Sequence, residues 1–181
     1  TITSNEFESW VDDATEMANS TGTLTSDILT MMKTYASAGE TITGVSEKLK
    51  ATAAFQNITG EDAQYVTSAV QSIMNQFQMM EDTTKSTSQV MEEFGDVMVG
   101  VGYSLNKDEQ LAMKDIISGV QTAGAVVNNA GGSFKWLASI VGTLSEQMNA
   151  TGEETGNAMK MIAARTLQSK EAITELCAAG E

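Results

Sequence analysis

The chain of 181 residues contains no proline, and this absence constrains its fold more than any other single feature. Average usage of about 5% would supply roughly nine prolines in a chain of this length. Proline breaks helices because it lacks a backbone N–H and because its ring clashes with the preceding turn. A chain without proline can therefore form successive helices without interruption, which favours an all-α fold.

Apolar residues recur along the chain in alternating steps of three and four. The most regular run comprises Ala63, Val66, Val70, Ile73, Phe77 and Met80. This spacing places an apolar stripe along one side of an α-helix, and no alternation of period two competes with it. Short segments rich in turn residues separate the stripes. We therefore predict an all-α protein, a compact bundle of seven or eight short helices of about 12–20 residues packed as antiparallel hairpins.

Glycines lie between the apolar stripes and predict where helices end, because glycine adopts the left-handed backbone conformation easily. The predicted stops are Gly22, Gly39, Gly100, Gly102, Gly131, Gly132 and Gly152. The same interruptions argue against a long coiled coil, which needs heptads sustained over several repeats. We expect one helical domain over residues 1–181, excised from a longer protein, with a subdivision into 1–58 and 59–181 as the alternative.

The formal net charge of −14 disfavours nucleic acid as a partner, since the few cations form no concentrated basic face. The absence of histidine excludes Ser-His and Cys-His catalytic pairs and histidine metal sites. The single cysteine, Cys177, excludes an intramolecular disulfide and a multi-cysteine zinc site. Paired carboxylates such as Asp12-Asp13 and Glu92-Glu93 are interpreted as solvated charges. We expect no cofactor, no metal and no enzymatic activity.

Residues 151–166, TGEETGNAMKMIAART, contain two glycines followed by Lys160 and the only arginine, Arg165. A phosphate-binding loop needs four residues between its glycines, Lys-Ser/Thr directly after the second glycine, and a preceding strand. The segment fails all three requirements, so nucleotide binding is not expected. Small residues also let helix backbones approach closely, and helix packing is the interpretation that we prefer.

A helix-packing or assembly surface is predicted from Gly124, Gly131, Gly152, Gly156, Lys160 and Arg165. Gly152 is expected to end one helix in a left-handed turn, with Glu153 and Glu154 in the first turn of the next. Gly156 then marks the point where a neighbouring helix crosses closely, and Lys160 and Arg165 reach past it to acids or carbonyls. Packing inside the bundle and docking of another helix both account for these small residues.

Residues 115–166 resemble the conserved core region of tailed-phage tape measure proteins. In that family a helix with two Ala-Gly pairs precedes an apolar helix and then a segment close to SG-x-x-x-GNA-x-K-x-I-x-x-R. This chain supplies Ala123-Gly124, Ala130-Gly131, an apolar run over 137–144, Thr151-Gly152, Gly156-Asn157-Ala158, Lys160, Ile162 and Arg165. Similar text upstream extends the resemblance to about residues 30–168. Trp136 departs from the pattern, because acids or small polar residues are expected at its position.

The resemblance implies a structural virion protein that lies in the lumen of the tail tube, sets tail length and leaves the tail during genome delivery. It implies tail tube proteins, tail tip proteins and tail assembly chaperones as partners, with assembly in the host cytoplasm. Self-association, and membrane contact on ejection, are compatible with it. Direct nucleic-acid binding by this segment is not expected.

Length supplies a separate constraint on any role as a ruler. A fully helical chain of 181 residues would extend roughly 270 Å at about 1.5 Å per residue, whereas a compact domain of this size has a radius of gyration of about 16 Å. A compact fold therefore contributes little length unless it opens out.

Two other classes of function stay open: a helical signalling or adaptor module similar to chemoreceptor hairpins, and a membrane-active secreted helical protein with residues 134–144 as its apolar helix.

Overall fold

The computed structural model describes residues 4–40, 42–81, 84–106 and 108–179. These residues form eight α-helices, one turn of 3₁₀ helix (Met79–Glu81) and no strand, which confirms the all-α prediction. The helices are α1 (Ser4–Thr21), α2 (Thr25–Ser37), α3 (Ile42–Thr59), α4 (Ala63–Gln76), α5 (Thr87–Ser104), α6 (Glu109–Asn129), α7 (Phe134–Met148) and α8 (Gly152–Ala179). At 28 residues, α8 is longer than the sequence pattern predicts.

The chain divides into two compact units. The first comprises Thr1–Ser72 and Met80–Asp96, and the second comprises Ile73–Met79 and Val97–Glu181. That the chain folds as a single domain, or that it divides between residues 58 and 59, stays a prediction.

Helices α1, α2 and α3 pack around the core of the first unit. Its buried residues are Ala14, Ala18, Ile28, Met31, Met32, Tyr35, Val45, Leu49, Ala53 and Ala63. Gln56 Nε2 donates to Asp27 Oδ2 at 2.8 Å near one end of the α2–α3 pair. Lys48 Nζ donates to Glu40 Oε2 at 2.5 Å near the other end. These two bonds join residues in opposite chain order, so α2 and α3 form an antiparallel hairpin.

The first unit also buries a tyrosine hydroxyl. Tyr35 is fully buried, and its hydroxyl lies 2.7 Å from Thr52 Oγ1, which donates to the Lys48 carbonyl at 2.8 Å. Without such a partner a buried hydroxyl costs about 1–3 kcal/mol. Burial raises the pKa of Tyr35 far above its ordinary value; the Thr52 hydrogen bond lowers it, and the nearby Glu40 carboxylate raises it further.

Helices α6, α7 and α8 run up, down and up in the second unit. Gly119 of α6 lies against Val141 of α7, and Gly142 of α7 lies against Ile116 of α6, so these helices are antiparallel. The buried core of the unit includes Met98, Met113, Ile116, Ile117, Val120, Ala123, Val127, Phe134, Leu137 and Val141. The N-terminus of α8 lies beside Asp115, in the first half of α6.

Glycine ends three helices as predicted. Positive φ angles of 70°, 89° and 89° occur in the turns after α1, α2 and α6, at Gly22, Gly39 and Gly131. The stops predicted at Gly100 and Gly102 are wrong, because both glycines lie inside α5. A Cβ at Gly102 would lie 3.1 Å from Met113 Cε, so this glycine makes room for a neighbouring side chain.

Candidate helix-docking site

Helix α8 begins at Gly152, and α6 holds this end in place. The Gly152 N–H donates to Oδ1 of Asp115 at 2.8 Å, and Asp115 is only 7% exposed. The carboxylate satisfies one of the donors that a helix N-terminus leaves unpaired, and its charge favours the positive end of the helix dipole. A side chain at position 152 is excluded, because a Cβ there would overlap the Asp115 carbonyl.

The left-handed turn predicted at Gly152 is wrong. Asn149 adopts that conformation instead, with φ 49° and ψ 38°, and it caps the C-terminus of α7. Asparagine enters the left-handed region more readily than most residues, so it competes with glycine at helix ends. Gly152 is the first residue of α8, and Glu153 and Glu154 occupy the first turn as predicted.

Thr151 and Glu154 cap α8 reciprocally. Glu154 Oε2 accepts from the Thr151 N–H at 2.8 Å and from Thr151 Oγ1 at 3.0 Å. In return, the Glu154 N–H donates to Thr151 Oγ1 at 3.3 Å. This arrangement is a capping box. The hydrogen bonds from the Thr151 backbone and side chain lower the pKa of the Glu154 carboxyl.

One turn further along, α8 crosses α6 at Gly156. A Cβ at Gly156 would lie 2.6 Å from the Gly119 carbonyl oxygen and 2.9 Å from Thr122 Cβ. These distances leave no space for a side chain, so the two backbones touch directly. We call Asp115, Gly119, Thr122, Gly152 and Gly156 the α6–α8 contact. Sequence reasoning missed Gly119 and Asp115, although their four-residue spacing matches that of the two glycines on α8.

The other predicted site residues are not gathered at the α6–α8 contact. Gly124 lies on α6 where a Cβ would overlap the Gln76 side chain, and Gly131 lies in the open turn after α6. Lys160 and Arg165 are exposed, and neither side chain bonds to an acid or carbonyl among the described residues. The expectation that both reach such partners is not met. A role in assembly for the six predicted residues stays a prediction.

An apolar groove lies beyond the α6–α8 contact, where the α6–α7 turn meets the middle of α8. We call it the Trp136 groove. It has a volume of about 540 Å³ and is lined by Val127, Ala130, Gly131, Gly132, Ser133, Trp136, Met159, Ile162, Ala163 and Thr166. Trp136 is 46% exposed and Ile162 is 56% exposed. Large apolar side chains clustered at a surface mark interaction sites. Sequence reasoning noted Trp136 only as a departure from a pattern and did not predict the groove.

Within the described residues, no group of three or more Asp, Glu or Cys side chains could hold a metal ion. The interpretation of Cys177 concerns a side chain that lies outside the described residues. No helix in the described part of the chain is both long and apolar enough to cross a membrane.

A family model described as phage-related minor tail protein matches residues 11–180. The chain belongs to the phage-related minor tail protein family. No curated protein and no solved structure matches it. Membership makes this minor tail protein a structural tail protein and a component of the virion. The resemblance to phage tail proteins is thereby confirmed at the level of the family.

Proposed function

We propose that this minor tail protein is a segment of a tape measure protein that acts in tail length determination, tail assembly and genome ejection. The family match over residues 11–180 carries the proposal, together with the tape measure pattern within residues 115–166. The α6–α8 contact supports it, because Gly152 and Gly156 are glycines of that pattern and both are required by the packing of α8 on α6.

The proposed role is structural and non-enzymatic, and it needs no cofactor. The segment lies in the lumen of the tail tube in the virion and in the host cytoplasm during assembly. Its partners are tail tube proteins, tail tip proteins and tail assembly chaperones. The capped start of α8 and its direct backbone contact with α6 fix how these two helices pack. Such fixed packing suits a segment that folds before it enters the tail tube.

A ruler has to be long, whereas packed hairpins fold the chain back on itself. Each residue adds about 1.5 Å along a helix, so the 28 residues of α8 span only about 42 Å. Under the proposal the hairpins open out in the tail, and the helices lie end to end. The packing described above then belongs to the protein before it enters the tube.

Tail length tests the proposal directly. The segment encoding Ser4–Thr59, which covers α1–α3, is duplicated in frame in the parent phage gene, and tails are measured by electron microscopy. The extra 56 residues should lengthen the tail by roughly 80 Å if they lie as extended helix. A synonymous recoding of the same segment is the control and should leave the length unchanged. Tails of unchanged length in the duplication phage would contradict the ruler role.

A further inference from the structure

Acidic residues are absent from two stretches of the second unit, residues 116–145 and 155–170. The same stretches contain four of the ten cations in the chain, Lys135, Lys160, Arg165 and Lys170. All 24 acidic residues lie elsewhere. In a molecule with a net charge of −14, these stretches therefore reverse the sign of charge locally.

The Trp136 groove is built entirely from these two acid-free stretches. Lys135 directly precedes Trp136, and Lys160 and Arg165 lie on either side of Ile162 in the sequence of α8. All three cations are exposed, and none of the three side chains makes an ion pair or a hydrogen bond with another described residue. Each of these exposed cations is thus the direct sequence neighbour of a residue that lines the uncharged groove, namely Trp136, Met159 or Thr166.

We propose that the Trp136 groove binds an acidic amphipathic helix of another polypeptide. A groove between helices accepts the apolar face of a helix whose anchors recur every three or four residues. Carboxylates beside those anchors pair with Lys135, Lys160 and Arg165, and this complementarity orients the helix in the groove. The acidic remainder of the surface repels the same helix, so charge selects the groove over other sites. The proposal does not depend on the tape measure role.

The shape of the site favours a helix over the other anionic partners. A concave groove of about 540 Å³ can enclose a protruding apolar face, whereas a membrane or a nucleic-acid duplex presents a broad anionic surface. Three separated cations also supply fewer contacts than the roughly six to ten phosphate contacts of typical DNA-binding proteins.

Tryptophan fluorescence of the whole 181-residue chain tests the proposal. Trp10 and Trp136 are the only tryptophans, so Trp10→Phe leaves Trp136 as the sole reporter. The probe is a synthetic amphipathic helix of about 20 residues, with leucines on one face and flanking glutamates. A matched peptide carries lysines in place of the glutamates. We expect the glutamate peptide to shift Trp136 emission to shorter wavelengths and to bind at least tenfold more tightly than the lysine peptide. Its affinity should fall as salt is added, because salt screens the charge pairs.

Variants assign the binding to the groove. The double change Lys160→Glu and Arg165→Glu should weaken glutamate-peptide binding at least tenfold. Its matched control, Lys33→Glu with Lys50→Glu, reverses two exposed cations of the first unit and should leave the affinity within twofold. Ile162→Ala should weaken binding, whereas Tyr103→Ala, at an exposed aromatic outside the groove, should not. Circular dichroism confirms that each variant is folded.

Four results would overturn the proposal. Equal affinity for the two peptides would show that charge complementarity does not contribute to binding. Tighter binding of phosphatidylglycerol vesicles with the same emission shift would assign the groove to a lipid surface. Tighter binding of a DNA duplex would assign it to nucleic acid. An emission shift that grows with protein concentration, without peptide, would assign it to a second copy of the chain.

Discussion

Gly156 and Gly100 are both helical glycines, yet their surroundings are opposite. At Gly156 the backbone of α8 touches Gly119 of α6, and a Cβ would lie 2.6 Å from a carbonyl oxygen. At Gly100 a Cβ would meet nothing within 4 Å. One glycine is required by a neighbouring backbone, and the other only loosens the helix that contains it.

Alanine substitution at these two positions should therefore act in opposite directions. We expect Gly156→Ala to lower the free energy of unfolding by about 1–3 kcal/mol, because the methyl group forces α8 away from α6. Gly100→Ala should raise it by about 0.5–1 kcal/mol, because alanine restricts the unfolded chain and favours the helix. Urea unfolding followed by circular dichroism measures both. Equal losses would show that Gly156 is not a crossing point.

The capping box at α8 predicts a specific dependence of stability on pH. The hydrogen bonds from Thr151 lower the folded-state pKa of Glu154 below that of the unfolded chain. The resulting stability is present above the unfolded-state pKa and is lost as the pH falls through the folded-state pKa. Glu154→Gln keeps a hydrogen-bonding side chain in the box but removes the titration.

We expect the thermal midpoint of the wild type to fall more steeply than that of Glu154→Gln when the pH is lowered below the ordinary pKa of a glutamate carboxyl. Glu153→Gln, at the neighbouring exposed position, controls for the loss of one negative charge in the same turn. Parallel pH profiles for the wild type and Glu154→Gln would show that the capping box contributes no pH-dependent stability.

At the scale of the element, α4 shows where an apolar stripe stops being a guide to burial. The stripe continues through Phe77, but α4 ends at Gln76 and Gln78 has a φ of 53°. Ile73 is fully buried, whereas Phe77 is partly exposed and packs edge-on against Phe134 with ring centroids 5.8 Å apart. Apolar periodicity therefore identifies the buried face of a helix, but it does not indicate at which residue the helix ends.

Ile73→Ala should therefore lower the free energy of unfolding by about 2–5 kcal/mol. Phe77→Ala should lower it by less, since the ring is already partly in water. Lys85→Ala removes an exposed pair with Glu93 and should change the free energy of unfolding by less than about 0.5 kcal/mol. Denaturant titration ranks the three variants. A Phe77 loss larger than the Ile73 loss would mean that the buried face is assigned wrongly.

The helices could be predicted from sequence because each depends on apolar spacing within its own segment. The helix ends are harder to predict. A glycine that ends a helix cannot be distinguished in sequence from a glycine that leaves room for a neighbouring backbone or side chain. Gly131 is of the first kind, and Gly102 and Gly152 are of the second. The Trp136 groove could not be predicted, because Trp136 and Ile162 come together only when α8 packs along α6 and reaches the α6–α7 turn.

For the whole molecule, net charge governs how stability responds to salt. With a net charge of −14, the acidic groups on the folded chain repel one another at neutral pH. Added salt shortens the range of that repulsion from about 30 Å at 10 mM to about 10 Å at 100 mM. We expect the thermal midpoint at pH 7 to rise between about 10 and about 200 mM sodium chloride. The rise should vanish near the sequence isoelectric point of about 4.2. A midpoint that falls with salt at pH 7 would mean that attractive ion pairs dominate.

Helix α8 continues to Ala179, but its described side chains from Arg165 to Glu175 are exposed except for Leu167, which is partly buried. An isolated helix of that length is marginal in water, because its first turn is expensive to nucleate. Here the turns packed on α6 supply the nucleus, so the outer half of α8 only has to propagate. Amide hydrogens along α8 should then exchange with solvent progressively faster from Gly156 towards the C-terminus. The helix can unwind from its exposed outer half one turn at a time while its anchored end stays formed.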